Sequence, residues 1–362
     1  MALENINPHN YQKLLLNKSK RIEQTFSEFQ IPELEVFASD PLHYRLRAEF
    51  RVWHEGDDLF YAMFNPGDNK NPIRVEHCPM VSERIHNMMF ILLDVIKANS
   101  CLRYKLFQID FLSTLSDELL VSLLYHRALD DEWLEQVQAL RQQFDINIIG
   151  RSRKQKFVQE QDFVMESLSI QGREYHYQQF ENSFTQPNGK VCEKMIEWVL
   201  DVTEHSELDL IEFYCGHGTF TLPVAQNFRR VIACEIAKTS VNAARFNIAR
   251  NQIDNVDVLR MSSEDLTLVL QGRKETRKVE GLKLEECQFS TVLVDPPRCG
   301  LDEDTVQHVS AYDNIIYISC NPETLRENLS HICNTHQIQR FALFDQFPYT
   351  DHIECGEYLS RR

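Results

Sequence analysis

The sequence predicts an α/β fold in two parts, and two rhythms along its 362 residues are the reason. Up to about residue 180, short alternating runs such as "RLRAEFRVW" (45–53) lie among helical patterns, the mark of a mixed, mainly antiparallel α+β half. Beyond about residue 190, apolar strand-like runs recur with helical patterns between most of them. That alternation is the signature of βαβ units and of a Rossmann-like, mostly parallel sheet. The expected division is 1–180 and 181–362, and the length alone suits two domains.

Taken in order, residues 7–30 read as an amphipathic helix, and residues 45–64 alternate like antiparallel strands around the turn "HEGDD" (54–58). A helix follows near 81–98. The runs "YKLFQIDFLS" (104–113) and "ELLVSLLYHR" (118–127) form a strand pair, 130–144 is helical, and "INIIGRS" (146–152) is again a strand. In the second half the strands fall at 208–214, 230–235, 256–260, 290–295, 314–319, 340–347 and near 355–360, giving a seven-stranded sheet. The charged segment 271–288 reads as a surface loop or helix extension.

Composition narrows the class. No apolar run approaches the roughly 20 residues of a membrane span, and the N-terminal stretch "MALENINPHNYQK" has no signal-peptide core, so a cytoplasmic protein without a membrane partner is expected. The ten cysteines include no C-x-x-C pair, which argues against zinc ribbons and iron–sulfur clusters, and no metal is expected. A net charge of −16 weighs against unspecific nucleic-acid binding, so any RNA contact must be local. Two basic clusters, "HYRLRAEFRVW" (43–53) and "GRSRKQK" (150–156), can serve either as phosphate contacts or as solvated faces.

Ligands of an open parallel sheet bind beyond the carboxyl ends of its strands. There, "IEFYCGHGTF" (211–220) sets Gly216 and Gly218 between a strand and a helix, and Glu235 ends the next strand, where a carboxylate can accept from ribose hydroxyls. The pair fits an adenosine-containing cofactor, NAD or S-adenosylmethionine, and the missing third glycine of G-x-G-x-x-G disfavours NAD. Two prolines after Asp295 in "VDPPRCGLD" (294–302) hold that acid at a strand tip. The run "IIYISCNPETL" (315–325) delivers Cys320 to the same edge, a poor place for packing and a good one for a nucleophile. His352 and Glu354 lie in the loop before the last strand, and either can be a general base or an ordinary loop residue.

Five blocks together, "ENSFTQPN" (181–188), "FYCGHGTF" (213–220), "VDPPRCGLD", "YISCNPETL" and "FPYTDHIE", resemble the RNA uracil-C5 methyltransferases that use S-adenosylmethionine. The segments "HYRLRAEFRVWHEGDD", "KLFQIDFLSTLS" and "LLYH" resemble the tRNA-acting bacterial branch of that family. The ribosomal-RNA relatives usually carry an N-terminal TRAM domain and a four-cysteine cluster, and this chain has neither pattern. The resemblance implies C5-methylation of uridine 54 in the T loop of tRNA, giving ribothymidine, with other T-loop-like RNAs as further candidates. It implies Cys320 as nucleophile, Glu354 as base, and Gln186, Tyr214, Gly216, Thr219, Glu235 and Asp295 as cofactor contacts. Where the family often reads "CGNGNF", this chain has His217 and Thr219.

A covalent mechanism needs thiolate, and Arg298 is the nearest candidate for a field that favours it. Arg47, Arg51, Phe107 and His126 are the expected base or phosphate contacts of an RNA-binding first half, with strand packing the competing role for Phe107. A monomer is expected. Two other classes compete: an RNA-binding module on a methyltransferase scaffold, and a nucleotide-dependent oxidoreductase, which leaves Cys320 and Glu354 without roles.

Overall fold

In the computed structural model residues 6–362 are described, apart from 66 and 69; the first five residues of the stretch lacking a signal-peptide core lie outside them. The chain begins with α1 (Tyr11–Thr25) and β1 (Leu34–Phe37). A sheet then forms from β2 (Arg47–Glu55), β3 (Asp58–Met63), β4 (Ile73–Arg74), β5 (Leu106–Ser113), β6 (Leu119–Tyr125), β7 (Asn147–Ser152) and β8 (Gln155–Val158), in the order β4-β3-β2-β5-β6-β7-β8. Its helices are α2 (Glu83–Ala98), α3 (Ser100–Arg103) and α4 (Asp131–Phe144). Ser82 and Asp130 start α2 and α4 by accepting the amides of Ile85 and Trp133, as N-caps do. A hairpin of β9 (Phe163–Ile170) and β10 (Arg173–Phe180) precedes α5 (Gly189–Val202).

Alternation then takes over: β11 (Asp209–Phe213), α6 (Thr221–Val224), β12 (Arg230–Glu235), α7 (Lys238–Arg250), β13 (Val256–Arg260), α8 (Ser263–Leu270), β14 (Phe289–Val294), α9 (Glu303–Val309), β15 (Asn314–Ser319), α10 (Pro322–Ile332), β16 (His336–Phe344) and β17 (Glu354–Arg361). These strands make a sheet of order β1-β16-β17-β15-β14-β11-β12-β13, parallel throughout except for β17. The seven strands expected from the second half are all present, and β1, only four residues long, adds an eighth at the edge. No alternation marks so short a run.

The first helix is shorter than the expected 7–30: a 3-10 turn at Pro8–Asn10 precedes it, and turns through Phe26, Ser27 and Phe29 end it ahead of Pro32. Two compact units result, one built on Asp40–Ser167 and Gln179–Gly189, the other on Asn10–Ser39, Leu168–Gln178 and Lys190–Arg362. A single cut at residue 180 misses this interleaving, because α1 and β1 pack with the second unit. In that unit Leu15 and Ile22 of α1, and Phe26 just after it, share a core with Phe213, Val294, Tyr317 and Phe341. Among the described residues no helix is long and apolar enough to cross a membrane.

Candidate active site

Register assembles the site. In the β15–β17 ladder Ser319 stands opposite Cys355, so one further step sets Cys320 opposite Glu354. Directly opposed residues of an antiparallel pair have Cβ atoms about 4.5–5.5 Å apart. Cys320 leaves the strand because Asn321 caps α10, its side chain accepting the Glu323 amide at 3.2 Å, and Pro322 occupies the first helical turn, where a missing N–H costs nothing. Along the parallel strands, the pairs Phe213–Cys234 and Phe213–Val294 carry Glu235, Tyr214 and Asp295 into one row at the carboxyl ends.

The glycine loop is built for close approach. Gly216 and Gly218 adopt φ of +57° and +90°, and a Cβ on Gly216 meets nothing within 4 Å, so open space lies above it. Glu235 accepts from the amides of Gly216 at 3.2 Å and Ala237 at 2.7 Å. Each carboxylate oxygen keeps lone pairs for a ligand. His217, where the family often has Asn, is buried against the Tyr177 ring, and burial lowers its pKa to about 4. Thr219 accepts the Tyr177 hydroxyl through its backbone carbonyl at 3.1 Å. The Tyr214 hydroxyl is fixed by Ser263 at 2.8 Å.

The site is rich in acids and short of cations. Burial raises the Cys320 thiol to about 11, with Glu354 and Asp295 adding to the rise and Arg298 opposing it. Burial and Asp295 push Glu354 well above the carboxylate range, and burial takes Asp295 to about 7. Behind them Glu212, fully buried on β11, rises to about 8 through burial and the charge of Asp295. Sequence reading passed over Glu212, although it lies two positions before Tyr214. Its signal was an acid in the apolar run that ends the strand at Phe213. Arg298 turns to His352, donating to its Nδ1 at 3.2 Å. His352 is exposed and lowered by burial and by Arg298, which leaves Glu354 as the buried base candidate.

The other candidates lie in the first unit. Gln186 is 9% exposed in a segment held by the Leu46 amide on the Pro187 carbonyl at 2.8 Å. Arg47 donates to the carbonyls of Ser183, at 2.6 Å, and Glu181, so its guanidinium braces that segment. Phe107 and the exposed His126 stack face to face with centroids 3.8 Å apart, and Arg51 lies 5.6 Å over the Phe107 ring. They border a hollow of about 570 Å³ lined by Phe107, His126, Arg127, Arg151 and Arg153 among others. Among the described residues no three His, Cys, Asp or Glu side chains converge as a metal would require.

The family described as tRNA (uracil-5-)-methyltransferase matches residues 10–362. The chain is 53% identical over 369 residues to the tRNA/tmRNA (uracil-C(5))-methyltransferase of Vibrio atlanticus (strain LGP32), covering 100% of both chains. It is 53% identical over 366 residues to the protein of the same name from Psychromonas ingrahamii, again covering 100% of both. Among solved structures it is similar to the Pyrococcus abyssi tRNA (uracil-54, C5)-methyltransferase in complex with S-adenosyl-L-homocysteine. That match has a TM-score of 0.72 at 21% identity and covers 97% of this chain and 83% of that one, a likeness of fold.

Proposed function

This chain belongs to the tRNA (uracil-5-)-methyltransferase family, and on that premise we propose that it uses S-adenosylmethionine to methylate C5 of uridine 54 in the T loop of tRNA, giving ribothymidine. The observation that carries the reading is the β15–β17 register, whose last pair Ser319–Cys355 brings Cys320 and Glu354, a nucleophile and a base, side by side just beyond it. The site also suits an adenosine-containing cofactor: Glu235 offers free lone pairs beside the open Gly216. The cofactor supplies a methyl group on a positively charged sulfur.

Uracil C5 is too weak a nucleophile to take a methyl group directly. The Cys320 thiolate adds to C6, which places an electron pair on C5, and C5 takes the methyl group as the sulfur–methyl bond breaks. Glu354 then removes the C5 proton, and elimination breaks the Cys320–C6 bond and restores the C5–C6 double bond. The base must leave its stack to expose C6. Phe107 and His126 offer aromatic faces for unstacked bases, with Arg51 and Arg153 for phosphates. Gln186, Tyr214 and Thr219 complete the cofactor contacts in this reading. All of the covalent chemistry comes from one unit of one chain, which suits a monomer.

The test is incubation of the purified protein with labelled S-adenosylmethionine and unmodified T-arm RNA, followed by nucleoside analysis. Ribothymidine should form with the uridine substrate and not with a uridine-to-cytidine control. RNA bound without product would favour the binding-module class. The tmRNA in the relatives' names is the second RNA to carry through the same assay.

A further inference from the structure

We propose that Lys18 of α1 is a positioning residue that sets the segment delivering the general base Glu354. The inference rests on the functional reading above and extends it to a helix far away in sequence. The Lys18 side chain is 8% exposed and lies 2.7 Å from Asp345, itself 1% exposed. Its ammonium donates to Asp345 Oδ1 at 2.7 Å, to the Phe347 carbonyl at 2.8 Å and to the His352 carbonyl at 2.9 Å. An ammonium has three protons, so each one is spent, and two of them hold the two ends of residues 347–352.

Neighbouring groups continue the brace. Tyr11 donates to Asp345 Oδ2 at 2.9 Å and accepts the Ser39 amide at 2.7 Å, which fixes the carboxylate that Lys18 needs. Arg21, three residues on, donates to the Asp351 carbonyl. Two residues after the pinned His352 carbonyl comes Glu354, and the His352 ring is the group to which Arg298 donates. The brace therefore acts on the segment that leads into the base. An ion pair this deep is a weak source of stability but a strong geometric constraint. A base misplaced by about 1 Å can lose about 100-fold in rate.

Loss of the brace should separate two steps that a merely unstable protein would lose together. Lys18→Met keeps the length of the side chain and removes all three donors. Methyl transfer in a single turnover should stay within a few-fold of wild type, because Cys320 is untouched. Proton removal from C5 should slow by about 100-fold. Methylated RNA would then remain attached to Cys320, seen as a slowly migrating protein–RNA band on a denaturing gel, with affinity for S-adenosylhomocysteine unchanged. Lys18→Met combined with Asp345→Asn leaves no unpaired buried charge and should accumulate the same adduct.

Normal turnover by both variants, or loss of adduct and product in equal proportion, would overturn the inference. Wild-type protein that makes no ribothymidine would overturn the functional reading, and this inference with it.

Discussion

The two units handle charge in opposite ways. Around Cys320 the second unit gathers four groups whose pKa values are raised, with Arg298 opposing the rise at Cys320 and Glu354, so its chemistry depends on where protons sit. The hollow of the first unit presents Arg153 beside a stacked Phe107–His126 pair, a cation and π faces suited to a polyanion, while Arg151 is paired with Glu181 and Arg127 is spent on backbone carbonyls. In a chain carrying −16, a local surface of this kind is what RNA binding requires, while the proton-holding groups stay in the other unit. The sharpest separation of the two comes from Cys320→Ala. Turnover should fall by on the order of 10⁴-fold or more, and covalent adducts with 5-fluorouridine RNA should vanish. RNA retention should persist in a gel-shift assay, and its loss would break the division.

A mirrored pair of variants sharpens the same contrast. Glu235→Ala should weaken S-adenosylhomocysteine binding by about 10- to 100-fold, the cost of losing hydrogen bonds to a charged acceptor, and leave RNA affinity alone. Phe107→Ala should do the reverse, weakening T-arm RNA by about 1–3 kcal/mol through lost stacking. Calorimetry with each ligand checks both. If either variant weakened both ligands equally, the two surfaces would not be independent.

How much of this was legible in sequence depends on the range of the signal. The seven strands of the second half, Cys320, Glu235 and Asp295 could be read because strand periodicity and the Gly, Pro and Asn breaks at strand ends are local. The cross-strand meeting of Cys320 and Glu354 needed the antiparallel insertion of β17, a fact of topology. Lys18 was illegible. In the sequence it is one lysine on an amphipathic helix, and only the packing of α1 into the second unit brings it to residues more than 320 positions away. Arg47 shows the converse: a basic residue at strand-like spacing suggested RNA, and the fold commits its guanidinium to two backbone carbonyls.

The proton side of the contrast has its own test. With the thiol raised to about 11, thiolate is scarce at neutral pH, so single-turnover methyl transfer should climb with pH by close to tenfold per unit while deprotonation limits it. Arg298 opposes that rise in pKa, so Arg298→Ala should shift the climb to higher pH. An unchanged pH–rate profile would remove Arg298 from the field at Cys320.

Glu357 gives the smallest effect and asks whether every perturbed acid in this unit serves the reaction. It sits three residues beyond Glu354 on β17, hence on the opposite face of the sheet, beside the core positions Cys355 and Leu359. It is fully buried, both carboxyl oxygens lack a partner, and burial with Glu354 raises its pKa well above the usual range. A folded-state value above the unfolded one, about 4.3, means a contribution to stability that is complete at acid pH and is lost as pH rises toward the folded value. Glu357→Met should therefore stabilise the protein by on the order of 1–3 kcal/mol, with a larger gain in Tm at pH 8.5 than at pH 5.5 and no change in kcat. A folded variant with reduced kcat would instead place Glu357 in the proton chemistry of Glu354, and the boundary drawn at the sheet would have to move.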